Sequence, residues 1–434
     1  MQRPRMPSPR LPRPTVPEPV MRVLRALGLP ATEIARYWGQ EARSIKAAAS
    51  ALSVGLVATL VAGIVLGGAR GSLADNPGLL VLIPAAIGMR GSLFGSMAAR
   101  LSTGILTGQV SDDLTRDSFM GRQITATTLL TMSTAAEAGL IAWGVSSLLR
   151  RPVMPVLDLV AVSVVGGLLA SAVLLVVTVA LARWSRSAQW SMDDVGAPTI
   201  TATGDLVTLP ALLLATTMLR VPHLGTVVGA IGLVAAVAAA VVGLRDRDAT
   251  VQRIVRESLV VLTVAVTIDV LAGVVMDSRL DSLLSTPALI VMIPPFVAAC
   301  GSLGGMLSSR LASKLHVGLV EPRTWPTRLA GLDISLTFLL GFLAFWGVGT
   351  VAWAAAALGG MAPPPAWQLI LVANVGGLMA TFVLSAVAHV AAVATFRFGL
   401  DPDNHGIPIV TASMDLFGIL CLVAAIGLVG LGGT

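Results

Sequence analysis

PGLLVLIPAAIGMRGSLFGSMAARLSTGILTGQV (residues 77–110) and PALIVMIPPFVAACGSLGGMLSSRLASKLHVGLV (residues 287–320) are one stretch written twice, 210 positions apart, with 13 of 34 aligned residues identical. The offset holds far downstream. Asp193, Gly196, Pro198, Thr201, Asp205 and Leu206 correspond to Asp403, Gly406, Pro408, Thr411, Asp415 and Leu416. A unit has been duplicated with no net insertion. Each copy keeps a carboxylate inside an apolar stretch, which predicts two acids facing each other across a pseudo-two-fold axis. Paired buried acids in a duplicated membrane unit point to an ion pathway.

Composition sets the solvent. Hydrophobic residues make up 55% of the chain and charged residues only 12%, against about 25% charged in soluble domains. Forty-four glycines suit helices that approach closely in a bilayer. The two cysteines, Cys300 and Cys421, lack metal-ligand spacing and read as packed small side chains. The net charge of +6 comes mostly from the N-terminal segment and implies no nucleic acid. Residues 1–43 read as a Pro-rich basic tail without the apolar run of a signal peptide. A short basic helix on the inner leaflet or a plain tether is expected between Met21 and Lys46.

A spanning helix needs roughly 20 mostly apolar residues. The first copy (44–222) predicts spans near 47–68, 77–99, 124–148, 154–182 and 197–219. The second (250–434) predicts 257–276, 287–309, 331–357, 367–395 and 407–430. A linking segment, 223–249, holds one more apolar run, 224–243, with no counterpart in either copy. The fold class is therefore all-α, a polytopic membrane protein of about eleven helices. Five spans end opposite to where they began, so the extra helix makes the two repeats parallel. Placing the N-terminus inside puts 23 Lys/Arg on the inner side and five on the outer, a positive-inside bias that leaves the C-terminus outside the cell membrane.

Asp205 and Asp415 are the leading site candidates, because a charge at the bilayer centre costs about 2.5–3.5 kcal/mol on insertion scales. Pro198, Thr201 and Asp205, like Pro408, Thr411 and Asp415, stand at i, i+3 and i+7 on one helical face. Hydroxyl and carboxylate oxygens in a row suit a hard cation. The competing reading is an acid held by Arg90 or a backbone donor. Asp193 and Asp403, twelve residues earlier, belong at the inner mouth, as cation collectors or as helix caps. Ser92 and Ser302 sit in Gly-Ser-Leu segments that follow Pro84 and Pro294, where close packing or a broken helix is expected. Glu137 and Asp269 lack acidic counterparts and are weaker candidates. No phosphate-binding loop, metalloprotease helix or nucleophile triad occurs, so enzyme chemistry is not expected.

The segments IPAAIGMRGSLFGSMAARLSTG (83–104), DDVGAPTITATGDL (193–206) and DPDNHGIPIVTASMDL (401–416) resemble the membrane domain of the MgtE magnesium transporters. The tandem arrangement is similar to their duplicated eukaryotic solute-carrier relatives. The resemblance implies a five-helix unit used twice around a central pore, with Mg²⁺ as cargo and no bound cofactor. It assigns the family's pore acid to Asp205 and Asp415, and its acid at the start of that helix to Asp193 and Asp403. Where the family often has Gly-Asn in the second helix, this chain has Ser92 and Ser302 at the asparagine position. The soluble sensing domains of MgtE are not in this sequence, so regulation is expected in the membrane part, the tail or a partner. Divalent cations and membrane lipids are the expected partners, and one chain can act as a monomeric pseudo-dimer. An Na⁺- or H⁺-coupled exchanger and a non-transporting scaffold are the alternatives.

Overall fold

A computed structural model describes residues 30–111, 113–188, 192–279, 283, 286–361, 363–399 and 406–431. Among them there is no strand. The helices are α1 (Ala31–Gln40), α2 (Ala42–Gly68), α3 (Arg70–Asp75), α4 (Leu79–Leu106), α5 (Phe119–Leu148), α6 (Val156–Ala188), α7 (Met192–Thr216), α8 (Leu224–Leu244), α9 (Ala249–Asp277), α10 (Pro287–His316), α11 (Arg328–Leu358), α12 (Ala366–Phe398) and α13 (Ile407–Val429). The long helices of the first repeat are thus α2, α4, α5, α6 and α7, and those of the second are α9 to α13, with α8 between them.

Ten of these helices are long and apolar enough to cross a membrane. The eleventh expected span, 124–148, forms α5, whose length of 30 residues matches its neighbours. Its apolarity falls short because Thr125, Thr127, Thr128, Thr131, Ser133 and Thr134 crowd its first half. The helix accommodates three of them by back-bonding: Thr128 donates to Ile124 O (2.8 Å), Ser133 to Leu129 O (2.8 Å) and Thr134 to Leu130 O (2.7 Å). A hydroxyl satisfied by its own helix costs little in apolar surroundings.

The helices pack with a pseudo-two-fold pattern, and the first helix of each repeat crosses over. Helix α2 lies against α7 of its own repeat and against α10 and α11 of the other. Helix α9 does the same with α13, α4 and α5. Two glycines make this possible. A Cβ on Gly63 of α2 would stand 2.2 Å from Val291 O of α10, and one on Gly273 of α9 would stand 2.2 Å from Val81 O of α4. The two contacts are the same contact, each partner shifted by 210 residues. Helix α8 packs on α5, α6 and α9 and turns Val227, Ile231, Val234 and Val237 outward, as a peripheral span facing lipid does.

The expected interfacial helix before the first span docks on protein. Ile34, Tyr37 and Trp38 of α1 are buried, and Trp38 Nε1 donates to Ser335 Oγ of α11 (3.1 Å). The glycines of the Gly-Ser-Leu segments also differ from expectation. Helices α4 and α10 run unbroken through Pro84 and Pro294, and a Cβ on Gly91 or Gly95 would meet open space. These glycines shape a void.

Gly63→Val and Gly273→Val are expected to cost about 1–3 kcal/mol each through overpacking, lowering the melting temperature of detergent-solubilised protein by several degrees. Gly55→Ala, on the same helix as Gly63 but facing open space, is expected to melt like the parent. Equal melting of all three by intrinsic fluorescence would refute the close-approach account.

Candidate functional site

The void is a central cavity of about 840 Å³ between the two repeats. Helices α4 and α10 supply its long walls, in matched pairs: Gly91 and Gly301, Ser92 and Ser302, Gly95 and Gly305. Of the sequence candidates, Asp205, Asp415, Thr411, Ser92 and Ser302 all line it. Asp403 lies outside the described residues, as do the side chains of Asp193 and Thr201.

Asp205 reaches the cavity from α7 and is 7% exposed; Asp415 reaches it from α13 and is half-buried. Each repeat therefore contributes one fifth-helix acid to a shared space. Asp269 of α9 joins them at 1% exposure. Sequence reasoning ranked it low for want of a symmetric partner, although an acid in an apolar run was itself the signal. Among the described residues no three His, Cys, Asp or Glu gather closely enough to hold a metal ion together. Asp269 and Asp415 come together beside Gly88 and Asp205 reaches the same chamber from α7, an arrangement suited to a cation that keeps part of its water shell. Thr411 Oγ1 donates to Pro408 O (3.0 Å), which leaves the oxygen's lone pairs free.

Arg90 does not hold Asp205. Its side chain is wholly buried, its Nη1 donates to Ala86 O, and its Nε and Nη2 meet no acceptor among the described residues. The repeat shows what it does. In the second copy, Phe296 and Phe345 pack with ring centroids 4.9 Å apart, and a Cβ on Gly377 would strike the Phe345 ring. The first copy has Ala86 and Ala135 at those places, and a Cβ on Gly167 would lie 2.7 Å from Arg90 Nη2. One arginine occupies the volume that two aromatic rings fill in the other half.

The two ends of the cavity differ. Leu66, Met276, Ile83 and Ile293 line one end and are all buried; they form two symmetric pairs 210 residues apart. Toward the other end the lining includes exposed Ala99 and Ser302, together with Ser44 and Arg310. A ring of apolar side chains blocks ions by excluding water. The chamber is thus sealed at the Leu66 end and accessible at the Arg310 end.

A charged cluster ties the accessible end to α1. Asp333 of α11 accepts from Tyr37 OH (2.6 Å), Lys314 Nζ (2.6 Å) and Arg310 Nε (3.1 Å). Arg310 also donates to Ser44 Oγ (2.8 Å) and Glu41 Oε2 (3.0 Å). Burial, with the Asp333 hydrogen bond next, pushes the Tyr37 phenol above its ordinary value. In the first repeat a neutral acceptor takes the acid's place, Arg100 Nε donating to Gln123 Oε1 (2.7 Å). Arg100 thus braces its own repeat, while Arg310 joins the second repeat to α1 and the start of α2.

This architecture has relatives. The profile of the MgtE family, described as divalent cation transporter, matches residues 83–215 and 293–425. Those two ranges are offset by the same 210 residues as the acids and together cover more than half of the chain. The chain belongs to the MgtE divalent cation transporter family. Among curated proteins it is similar to solute carrier family 41 member 3 of Rattus norvegicus, 26% identical over 367 residues, covering 79% of this chain and 78% of that protein. The Mus musculus protein of the same name is 24% identical over 366 residues, covering 79% and 74%. No solved structure gives a significant match. As an MgtE family member the chain is a multi-pass membrane protein, and its chamber is set between the two matched repeats.

Asp333→Ala is expected to destabilise the protein by about 3 kcal/mol, because it takes the carboxylate from Lys314 and leaves Arg310 with Glu41 alone among the described acids. Asp333→Gln, which restores the partner used by Arg100, is expected to recover part of the loss. Thermal melts of the three proteins check the order.

Proposed function

We propose that this chain carries Mg²⁺ across the cell membrane through the central chamber, with the N-terminus cytoplasmic and the C-terminus outside. The observation that supports this most is that Asp205 and Asp415, one from each repeat, line the same cavity. Two carboxylates balance a dication, and a chamber of about 840 Å³ leaves room for waters that Mg²⁺ gives up reluctantly. Family membership supports divalent cations as the cargo class. Other divalents compete for such oxygen sites, so selection falls to geometry and availability.

In this orientation the accessible end faces the cytoplasm, and the plug of Leu66, Met276, Ile83 and Ile293 separates the chamber from the outside. A cation passes when the plug parts, and the acids hold its charge while it does. Asp193 and Asp403, twelve residues before Asp205 and Asp415 in the sequence, are assigned as collectors at the cytoplasmic mouth, Ser92, Ser302 and Thr411 offer neutral oxygens along the wall, and Thr201, the repeat mate of Thr411, is assigned the same role.

Asp205→Asn and Asp415→Asn are each expected to lower Mg²⁺ flux into proteoliposomes at least tenfold, and the double variant to abolish it. Parent-like flux from the double variant would discard the pathway. Leu66→Ser combined with Met276→Ser is expected to wet the plug and raise the flux several-fold; an unchanged rate would remove the plug from the mechanism. The same assay run with and without an imposed Na⁺ or H⁺ gradient separates a channel from an exchanger, since flux that follows the gradient indicates coupling.

A further inference from the structure

One departure from the pseudo-two-fold axis places an additional acid in the chamber. The position of Asp269 corresponds to Thr59, and that of Gly88 to Ala298. Both departures fall on the same contact, where α9 crosses α4. A Cβ built on Gly88 would stand 2.4 Å from Asp269 Oδ2 and 3.1 Å from Asp415 Oδ2. Two carboxylate oxygens from different helices therefore converge on the space that the missing side chain leaves. Neither oxygen of Asp269 meets a hydrogen-bond donor among the described residues, although the residue is almost wholly buried.

The other half keeps the fifth-helix acid, Asp205, but lacks the other two parts. Thr59 spends its hydroxyl on its own helix, donating to Gly55 O (2.8 Å) and Leu56 O (3.2 Å), and Ala298 carries the methyl that Gly88 lacks. The glycine and the acid thus depart from the repeat together, as they must if a methyl at position 88 collides with the carboxylate. Two ionised carboxylates side by side, one of them almost wholly buried, are costly. A shared proton or a cation between them removes that cost, and the missing side chain at Gly88 leaves space there.

We propose that Asp269 and Asp415 form an off-axis subsite for one divalent cation beside Gly88, so that the ion rests against the second repeat's pair of acids and passes Asp205 only in transit. Two carboxylates match the dication's charge, and the chamber's water completes its coordination, the way Mg²⁺ is usually held. The subsite rests on the chamber being a cation pathway, and it assigns to Asp269 a ligand role that the symmetric pair does not contain.

Isothermal titration calorimetry with MgCl₂ on the purified full-length chain in detergent, at one fixed pH, tests it. Asp269→Asn is expected to weaken Mg²⁺ binding at least tenfold with the melting temperature retained, and Gly88→Ala to weaken it in the same sense. Thr59→Val is expected to bind like the parent, and Asp205→Asn to weaken binding less than Asp269→Asn does. Unchanged Mg²⁺ affinity in Asp269→Asn, in a protein whose flux still depends on Asp415, overturns the subsite and leaves the pathway standing. A parent chain that neither binds nor conducts Mg²⁺ overturns both.

Discussion

Two glycine contacts hold the molecule's plan together. Gly63 lies on the carbonyl of Val291 and Gly273 on that of Val81, each at a distance no side chain tolerates. In lipid there is little hydrophobic drive to press helices together, so close packing of small residues carries much of the association. Because each contact joins the first helix of one repeat to the second helix of the other, neither five-helix unit closes on itself. The space left between the crossed units is the chamber, and Asp269 and Asp415 reach it from helices whose neighbours come from both repeats, while Asp205 reaches it from α7, which packs within the first.

The chamber's chemistry follows from the same crossing. Helix α9 is delivered to α4 and α13, so Asp269 arrives beside Gly88 and Asp415 in a place its own sequence neighbours do not specify. Helix α2 is delivered to α10, so Ser44 and Glu41 reach Arg310, and the cluster around Asp333 fastens α1 over the accessible end. An apolar ring at one end, acids in the middle and a braced cationic cluster at the other give the cavity a direction.

The two halves have also diverged by compensating exchanges. Arg90 fills the volume of the Phe296–Phe345 pair, Gln123 takes the place of Asp333 against the paired arginine, and Thr59 with Ala298 replaces Asp269 with Gly88. Each exchange preserves volume or a hydrogen bond locally while changing charge. The backbone plan stays two-fold, and the electrostatics of the chamber become one-sided.

Much of this was legible in the chain. The 210-residue repeat, the helical spans, the extra helix and the fifth-helix acids are written in apolar run lengths and matched positions, because span length and the cost of a buried charge are local properties of a segment in a bilayer. The Thr-rich α5 was readable as a span from its length, although its hydroxyls lower its apolarity below that of its neighbours. The continuous course of α4 and α10 through their prolines was not readable, nor was the open space beside Gly91 and Gly95, since a glycine that receives a neighbour and one that faces a void look alike in sequence. Which helix crosses to which repeat, and hence that Asp269 stands beside Asp415 while Arg90 stands apart from Asp205, was decided only by the tertiary structure. Those are relations between segments far apart in the chain, fixed by which surfaces fit at backbone distance.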